Sequence, residues 1–343
     1  MKSIIGLCIL LFPCVFAVTP ALAAEEPVLN LYSARHYQTD EALYANFTKA
    51  TGIKVNRIEA GDEQLVERLK GEGAGSPADV LLIVDAARLW QAQQTGLFQP
   101  VRSVTLAERI PAAFRDPEGY WFGFSYRARV LVYGKGVVDP AAIATYEALA
   151  DATNKGKVCA RSGSHPYNLS LVASIIAHDG EAKAEAWARN VVANMARSPR
   201  GGDSDQIKAV AAGECGVAIV NTYYYARVWR STKPEDREVI ARTGVVMPDQ
   251  AKYGTHINVA GAGVLKNAPH RENAIRFLEY LASDEAQVYF ADGNNEWPVV
   301  KSVHVKNPAL EALGPFKADP LPIATLGRST AEAQRIVDRA GWK

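Results

Sequence analysis

The sequence predicts an α/β protein built as two lobes around a hinged cleft, and three observations lead there. Short apolar, β-branched runs alternate with amphipathic stretches of helical period, the pattern of a mixed, mostly parallel sheet flanked by helices in each lobe. About 320 residues remain once an export segment at the start is set aside, more than one hydrophobic core usually serves. A long aromatic segment, 121–133, separates two such alternating blocks, and residues 258–282 then resume the pattern of the first. The chain therefore leaves one lobe, builds the second and returns.

Each element has a local reason. The run 28–33 reads as a strand, and 39–51 as an amphipathic helix with Asp40 and Glu41 at its start and Gly52 closing it. Strand 53–58 leads to helix 62–72. Ser76-Pro77 then marks a turn before the apolar run 79–84, and a helix spans 86–94. The segment 121–133 is long enough to cross between lobes. The second alternating block covers 157–229, with a strand at 158–160, an apolar helix at 169–177 and a strand at 216–220. Strand 258–265 carries Gly261 and Gly263, and 271–282 is helical. The boundaries that follow are 1–23 for the export segment, 24–127 with 256–303 for the first lobe, and 128–255 with 304–343 for the second. Repeated crossings of this kind make a clamp with its ligand between the lobes.

Lys2, the apolar run 4–18 and Ala21-Leu22-Ala23 have the charge, length and cleavage motif of a secretory signal, cut after Ala23. The mature protein is expected to be periplasmic and to work as a monomer. The formal charge is +1, and Lys2 leaves with the signal, so nothing in bulk charge points to nucleic acid. Cys8 and Cys14 leave as well. Cys159 and Cys215 remain, each in or beside a strand, and in an oxidising compartment a disulfide between them is the first reading, with two buried thiols as the alternative.

Tyr223-Tyr224-Tyr225 stand directly behind the strand at 216–220, after Asn221 and Thr222. Two other places match this one. His36-Tyr37 follows the first strand and precedes the acidic helix start, and Tyr167 follows strand 158–160 and opens an apolar helix. All three sites lie between a strand and the first turn of a helix. Helix N-termini present unpaired N–H groups and partial positive charge, which favour an anion. A free phenol ionises only near ~10, so several phenolates together require a hard cation of high charge. Successive residues at a helix start diverge by about 100°, so Tyr223 and Tyr224 can converge on one ion while Tyr225 points elsewhere. The alternative for the pair is aromatic packing with satisfied hydroxyls. Tyr32, Tyr44 and Tyr133 follow apolar periodicity and read as core. His165 reads as a loop residue, His256 has no assigned role, and the sequon Asn168-Leu169-Ser170 reads as chance.

Four segments carry a resemblance: Leu31-Tyr32-Ser33-Ala34-Arg35-His36-Tyr37, Ser76-Pro77-Ala78-Asp79-Val80, Arg127-Ala128-Arg129-Val130 and Asn221-Thr222-Tyr223-Tyr224. Together, and with 258–263 and 293–300, they resemble the periplasmic ferric-ion-binding proteins, solute-binding components of iron(III) ABC importers with a transferrin-like fold. The resemblance implies Fe³⁺ held by Tyr223 and Tyr224. In one branch of that family a histidine, a glutamate and an exogenous anion complete the site, but the glutamate position falls at Val84 here, which cannot bind metal. The tyrosine-rich branch fits better and implies His36, Tyr37, Tyr167, Tyr223 and Tyr224 as ligands.

Hard Fe³⁺ prefers anionic oxygen. Four phenolates and a neutral imidazole around it leave one net negative charge, which a guanidinium would balance. Arg127 and Arg129 share one face of their strand by its period of two. Arg127 is the candidate for charge balance, or for a two-pronged contact with carbonate or another synergistic anion. The implied function is capture of Fe³⁺, free or as a chelate, and delivery to an inner-membrane ABC permease with its ATPase, without enzymatic activity. Two other functions compete: a carrier of a small organic solute such as a polyamine, thiamine or phosphonate, and an exported thiol hydrolase using Cys159 with His165.

Overall fold

The computed structural model describes residues 27–35 and 39–343. The signal segment and the candidate ligands His36 and Tyr37 lie outside the described residues. In chain order the first elements are β1 (Val28–Ser33), α1 (Asp40–Thr51), β2 (Lys54–Glu59), α2 (Asp62–Glu72), β3 (Val80–Ile83), α3 (Ala86–Gln94), α4 (Val104–Arg109) and β4 (Phe122–Gly134). Then come β5 (Val158–Cys159), α5 (Pro166–Asp179), α6 (Glu181–Ala193), α7 (Asp203–Ala211), β6 (Val217–Asn221), α8 (Thr222–Arg230), α9 (Pro234–Arg242) and β7 (Thr243–Val246). The chain returns through β8 (Ile257–Val264), α10 (Arg271–Leu281), α11 (Asp284–Asn294) and β9 (Trp297–Pro298). It ends with α12 (Pro308–Ala312), α13 (Ala324–Arg328) and α14 (Thr330–Ala340). Among the described residues no helix is long and apolar enough to cross a membrane.

Local signals placed most of these elements. Gly52 ends α1 in the left-handed region, at φ 74°, where a side chain would strain the backbone. Asp85 caps α3 by accepting from the Ala87 N–H. Gly261 and Gly263 sit inside β8 because a Cβ at either would run into the backbone carbonyls of Phe122 and Tyr120 across the sheet.

The strands run in the order β2-β1-β3-β8-β4-β6-β5, with β7 and β9 also paired to β4. β1 is parallel to β2 and β3, and β5 is parallel to β6, as expected where a helix connects the strands. The pairings of β4 and β8 are antiparallel, a larger antiparallel share than strand–helix alternation implies. β4 organises the whole. Its first part, to Ala128, pairs with β8, and from Arg129 onward it pairs with β6. One strand thus carries the chain from one half of the α/β architecture to the other.

Alternation along the strands separates two cores. Leu29, Leu31, Val80 and Leu82 face one cluster with Phe47, Phe277 and Phe290, whereas Tyr32, Leu81 and Ile83 face the other. The second cluster is larger and continues through β4, β5, β6 and α5 to Ile336 and Val337 of α14.

Candidate functional site

Sheet topology brings two of the tyrosine sites together. β5 and β6 are parallel neighbours, Val158 beside Val217 and Cys159 beside Ala218. Parallel neighbours end at the same sheet edge, so the helices that follow them begin side by side. Tyr167 lies in the first turn of α5, and Tyr223 and Tyr224 lie in the first turn of α8. The Tyr223 hydroxyl donates to the Tyr167 hydroxyl oxygen at 3.0 Å. The Tyr224 ring lies beside that of Tyr223, with centroids 4.3 Å apart and planes inclined by 33°. Tyr225 turns away, buried, and donates to the Thr243 carbonyl at 3.3 Å. A disulfide between Cys159 and Cys215, Cα atoms 5.9 Å apart, fastens β5 to the segment entering β6. Cys159 therefore has no free thiol to act as a nucleophile, and the hydrolase alternative fails on that point.

Three guanidiniums surround Tyr167. Those of Arg161, Arg127 and Arg129 stand 5.2, 5.4 and 5.8 Å from its ring centroid. The three cations gather positive charge around this ring. The period of two along β4 explains why Arg127 and Arg129 both reach it. Arg129 is locked in place: it donates to Asp203 at 2.6 Å, to Asn221 at 3.1 Å and to Asn168 at 2.7 Å. Asn168 is buried and also donates to the carbonyls of Arg161 and Ser162, so its side chain is structural and closed to glycosylation. Arg127 is fully buried and held less tightly. It donates from Nη2 to the Val84 carbonyl and stands 3.8 Å from Asp85. Its Nε and Nη1 have no hydrogen-bond partner among the described residues.

The histidines nearby are neutral. His165 is the N-cap of α5: its Nδ1 accepts from the Tyr167 N–H at 3.3 Å, and its ring meets that of Tyr167 edge-on with centroids 4.4 Å apart. Burial, then the charges of Arg161 and Arg129, push its pKa down to about 3. His256 is buried with Nε2 3.3 Å from the Ser170 hydroxyl, and burial with Arg129 and Arg127 likewise takes it to about 3. Asp85 moves the other way, up to about 6, because burial outweighs the attraction of Arg127.

Of the residues singled out from sequence, Tyr167, Tyr223, Tyr224 and Arg127 share this site. Tyr32 and Tyr44 are core residues, 1% and 4% exposed, and Tyr133 is half-buried against the core. Sequence reasoning gave no role to Arg161, or to His165 as a helix cap. His165 was legible in principle, since a polar residue directly before Pro166 opens many helices.

The donor set suits a hard cation. Among the described residues no group of three or more His, Cys, Asp or Glu side chains could hold a metal. Phenol oxygens are what the site offers. In a hard octahedral ion with bonds of about 2.0–2.1 Å, neighbouring ligand oxygens stand roughly 2.8–3.0 Å apart. The Tyr223–Tyr167 separation of 3.0 Å has that spacing.

Known proteins resemble this chain along most of its length. The family described as bacterial extracellular solute-binding protein matches residues 42–320. Iron uptake protein A2 of Synechocystis sp. is 52% identical over 323 residues, covering 94% of this chain and 92% of that protein. The major ferric iron-binding protein of Neisseria meningitidis is 30% identical over 334 residues, covering 95% and 96%. A Trichodesmium protein solved in complex with iron and citrate superposes with a TM-score of 0.88 at 52% identity, covering 92% of this chain and 100% of that one.

Proposed function

The chain belongs to the bacterial extracellular solute-binding proteins, among the ferric-ion-binding carriers, and from that premise we propose that it captures Fe³⁺ through tyrosinates and hands it to an inner-membrane ABC permease. It acts in the periplasm as a carrier rather than an enzyme. The first lobe comprises 24–127 with 256–303 and the second 128–255 with 304–343. The change of partners along β4 between Ala128 and Arg129 supports this division.

One observation carries the reading above others: two phenol oxygens from different helix starts meet at 3.0 Å inside a ring of arginines. Neither packing nor solubility requires that arrangement. Tyr167, Tyr223 and Tyr224 supply oxygens from one side of the cleft. Tyr37, with His36, supplies the other side from the segment after β1, whose end lies beside the end of β3 in the sheet. Arg127 stands beside Tyr167, and its Nε and Nη1, without a hydrogen-bond partner among the described residues, can pair with carbonate or a similar anion, or balance the phenolates directly. Release follows phenolate protonation, or reduction to Fe²⁺, whose lower charge holds phenolate less well.

The test is to load the purified protein with ferric nitrilotriacetate, remove excess iron and measure bound metal. One equivalent of iron with a visible tyrosinate-to-iron absorption band is the expected result. A colourless protein without iron would refute the proposal.

A further inference from the structure

We propose that Arg230 is a latch for the closed clamp, a positioning residue that sets how long iron is held without touching it; this rests on the iron-binding reading above. α8 carries the tyrosine pair at its start and Arg230 in its last turn. Arg230 donates from Nη1 to the Asp292 carbonyl and to Asn295 Oδ1, the latter at 3.0 Å. Both acceptors lie at the C-terminal end of α11, where helix carbonyls lack intrahelical partners and the dipole favours a cation. The two helices rest on different cores. Tyr225 and Val228 of α8 pack into the larger one, and Ala286 and Phe290 of α11 pack into the other. The contact therefore joins a helix of the proposed second lobe to one of the first, packed into different clusters.

What the latch grips is also specific. Asn295 holds the left-handed region at φ 56°, and its side-chain oxygen accepts from Asn307 as well. Its neighbours anchor both ends of the segment that carries His36 and Tyr37. Asn294 donates to Asp40 at 3.0 Å and accepts from Thr39 at 2.7 Å. Glu296 accepts from Arg35 at 3.2 Å, and Arg35 is itself paired with Asp40 at 3.0 Å. A single guanidinium thus ties the helix presenting Tyr223 and Tyr224 to the residues that anchor Arg35, Thr39 and Asp40, on either side of His36 and Tyr37 in sequence. Opening the clamp has to break these bonds. Because Arg230 lies on the exposed rim, water can replace them, and the latch modulates opening rather than forbidding it.

The experiment loads wild type, Arg230→Gln, Asn295→Gly and the double variant with ferric nitrilotriacetate, then follows release to excess EDTA by stopped-flow absorbance. Glycine keeps the left-handed backbone at 295 and removes the acceptor of both Arg230 and Asn307, whereas Arg230→Gln leaves the Asn307 bond in place. Each single variant should release iron about two- to five-fold faster, the scale of one cation at a helix C-terminus, and the double variant no faster than the quicker single one. The position of the visible band should stay unchanged throughout, and the melting temperature of the iron-free protein should stay unchanged in Arg230→Gln. Wild-type release rates in Arg230→Gln, additive effects in the double variant, or a shifted band would overturn the latch. Failure of the wild type to load iron would instead overturn the functional reading.

Discussion

Tyr223 does two things at once: its ring packs on Tyr224 and its hydroxyl donates to Tyr167. Tyr223→Phe keeps the first and removes the second. Iron affinity in a chelator competition should then fall by more than the roughly 10–100-fold typical of losing a supporting contact at a metal site. Arg127 is expected to behave differently. Arg127→Lys keeps the charge and removes the planar fork, so iron binding should weaken in bicarbonate buffer and change little without bicarbonate. Unchanged binding in both buffers would assign Arg127 to charge balance alone. The phenols were legible because three adjacent tyrosines at a strand end are a costly choice for solubility. The ring of arginines was legible only in part. Strand period put Arg127 and Arg129 on one face, but Arg161 reaches Tyr167 from the loop before α5, which no local pattern encodes.

At the scale of elements, β5 is only two residues long, and the disulfide compensates for its short ladder. Cross-linking residues with a sequence separation of 56 removes chain entropy worth about 4 kcal/mol in the loop-closure estimate. Reduction should therefore lower the urea midpoint clearly, and it should loosen the Tyr167–Tyr223 pairing that β5 and β6 align. Unfolding curves with and without reductant check the first point, and iron titration under the same conditions checks the second. Periodicity and end signals located α1 and α2 because those signals are local: Gly52 closes α1 and Asp62 opens α2. β7 and β9 escaped notice, since four- and two-residue strands exist only through pairing with β4. The antiparallel share of the sheet was hidden for the same reason. It depends on β8 returning to lie between β3 and β4.

Across the whole molecule, buried titratable groups set an acid limit. His256 is held at about 3 against 6.5 for an ordinary histidine. Its contribution is intact above pH 6.5 and is lost as pH falls toward 3, when the unfolded chain binds the proton more readily. Asp85, raised to about 6 from 3.8, works in the opposite sense: its contribution is present below 3.8 and lost as pH rises through 6. His256→Gln should thus flatten the fall in urea midpoint between pH 7 and pH 4.5, whereas an unchanged slope would mean that other groups govern acid unfolding. The two-lobed plan was legible from length and from a long strand candidate at mid-chain. The use of one strand, β4, by both halves emerged only from its pairing. The most direct measurement is a crystal of iron-loaded protein with anomalous diffraction recorded at the iron edge. One strong peak bonded to the hydroxyl oxygens of Tyr37, Tyr167, Tyr223 and Tyr224 is the expected result. A peak elsewhere, or those oxygens dispersed into separate pockets, would contradict the account.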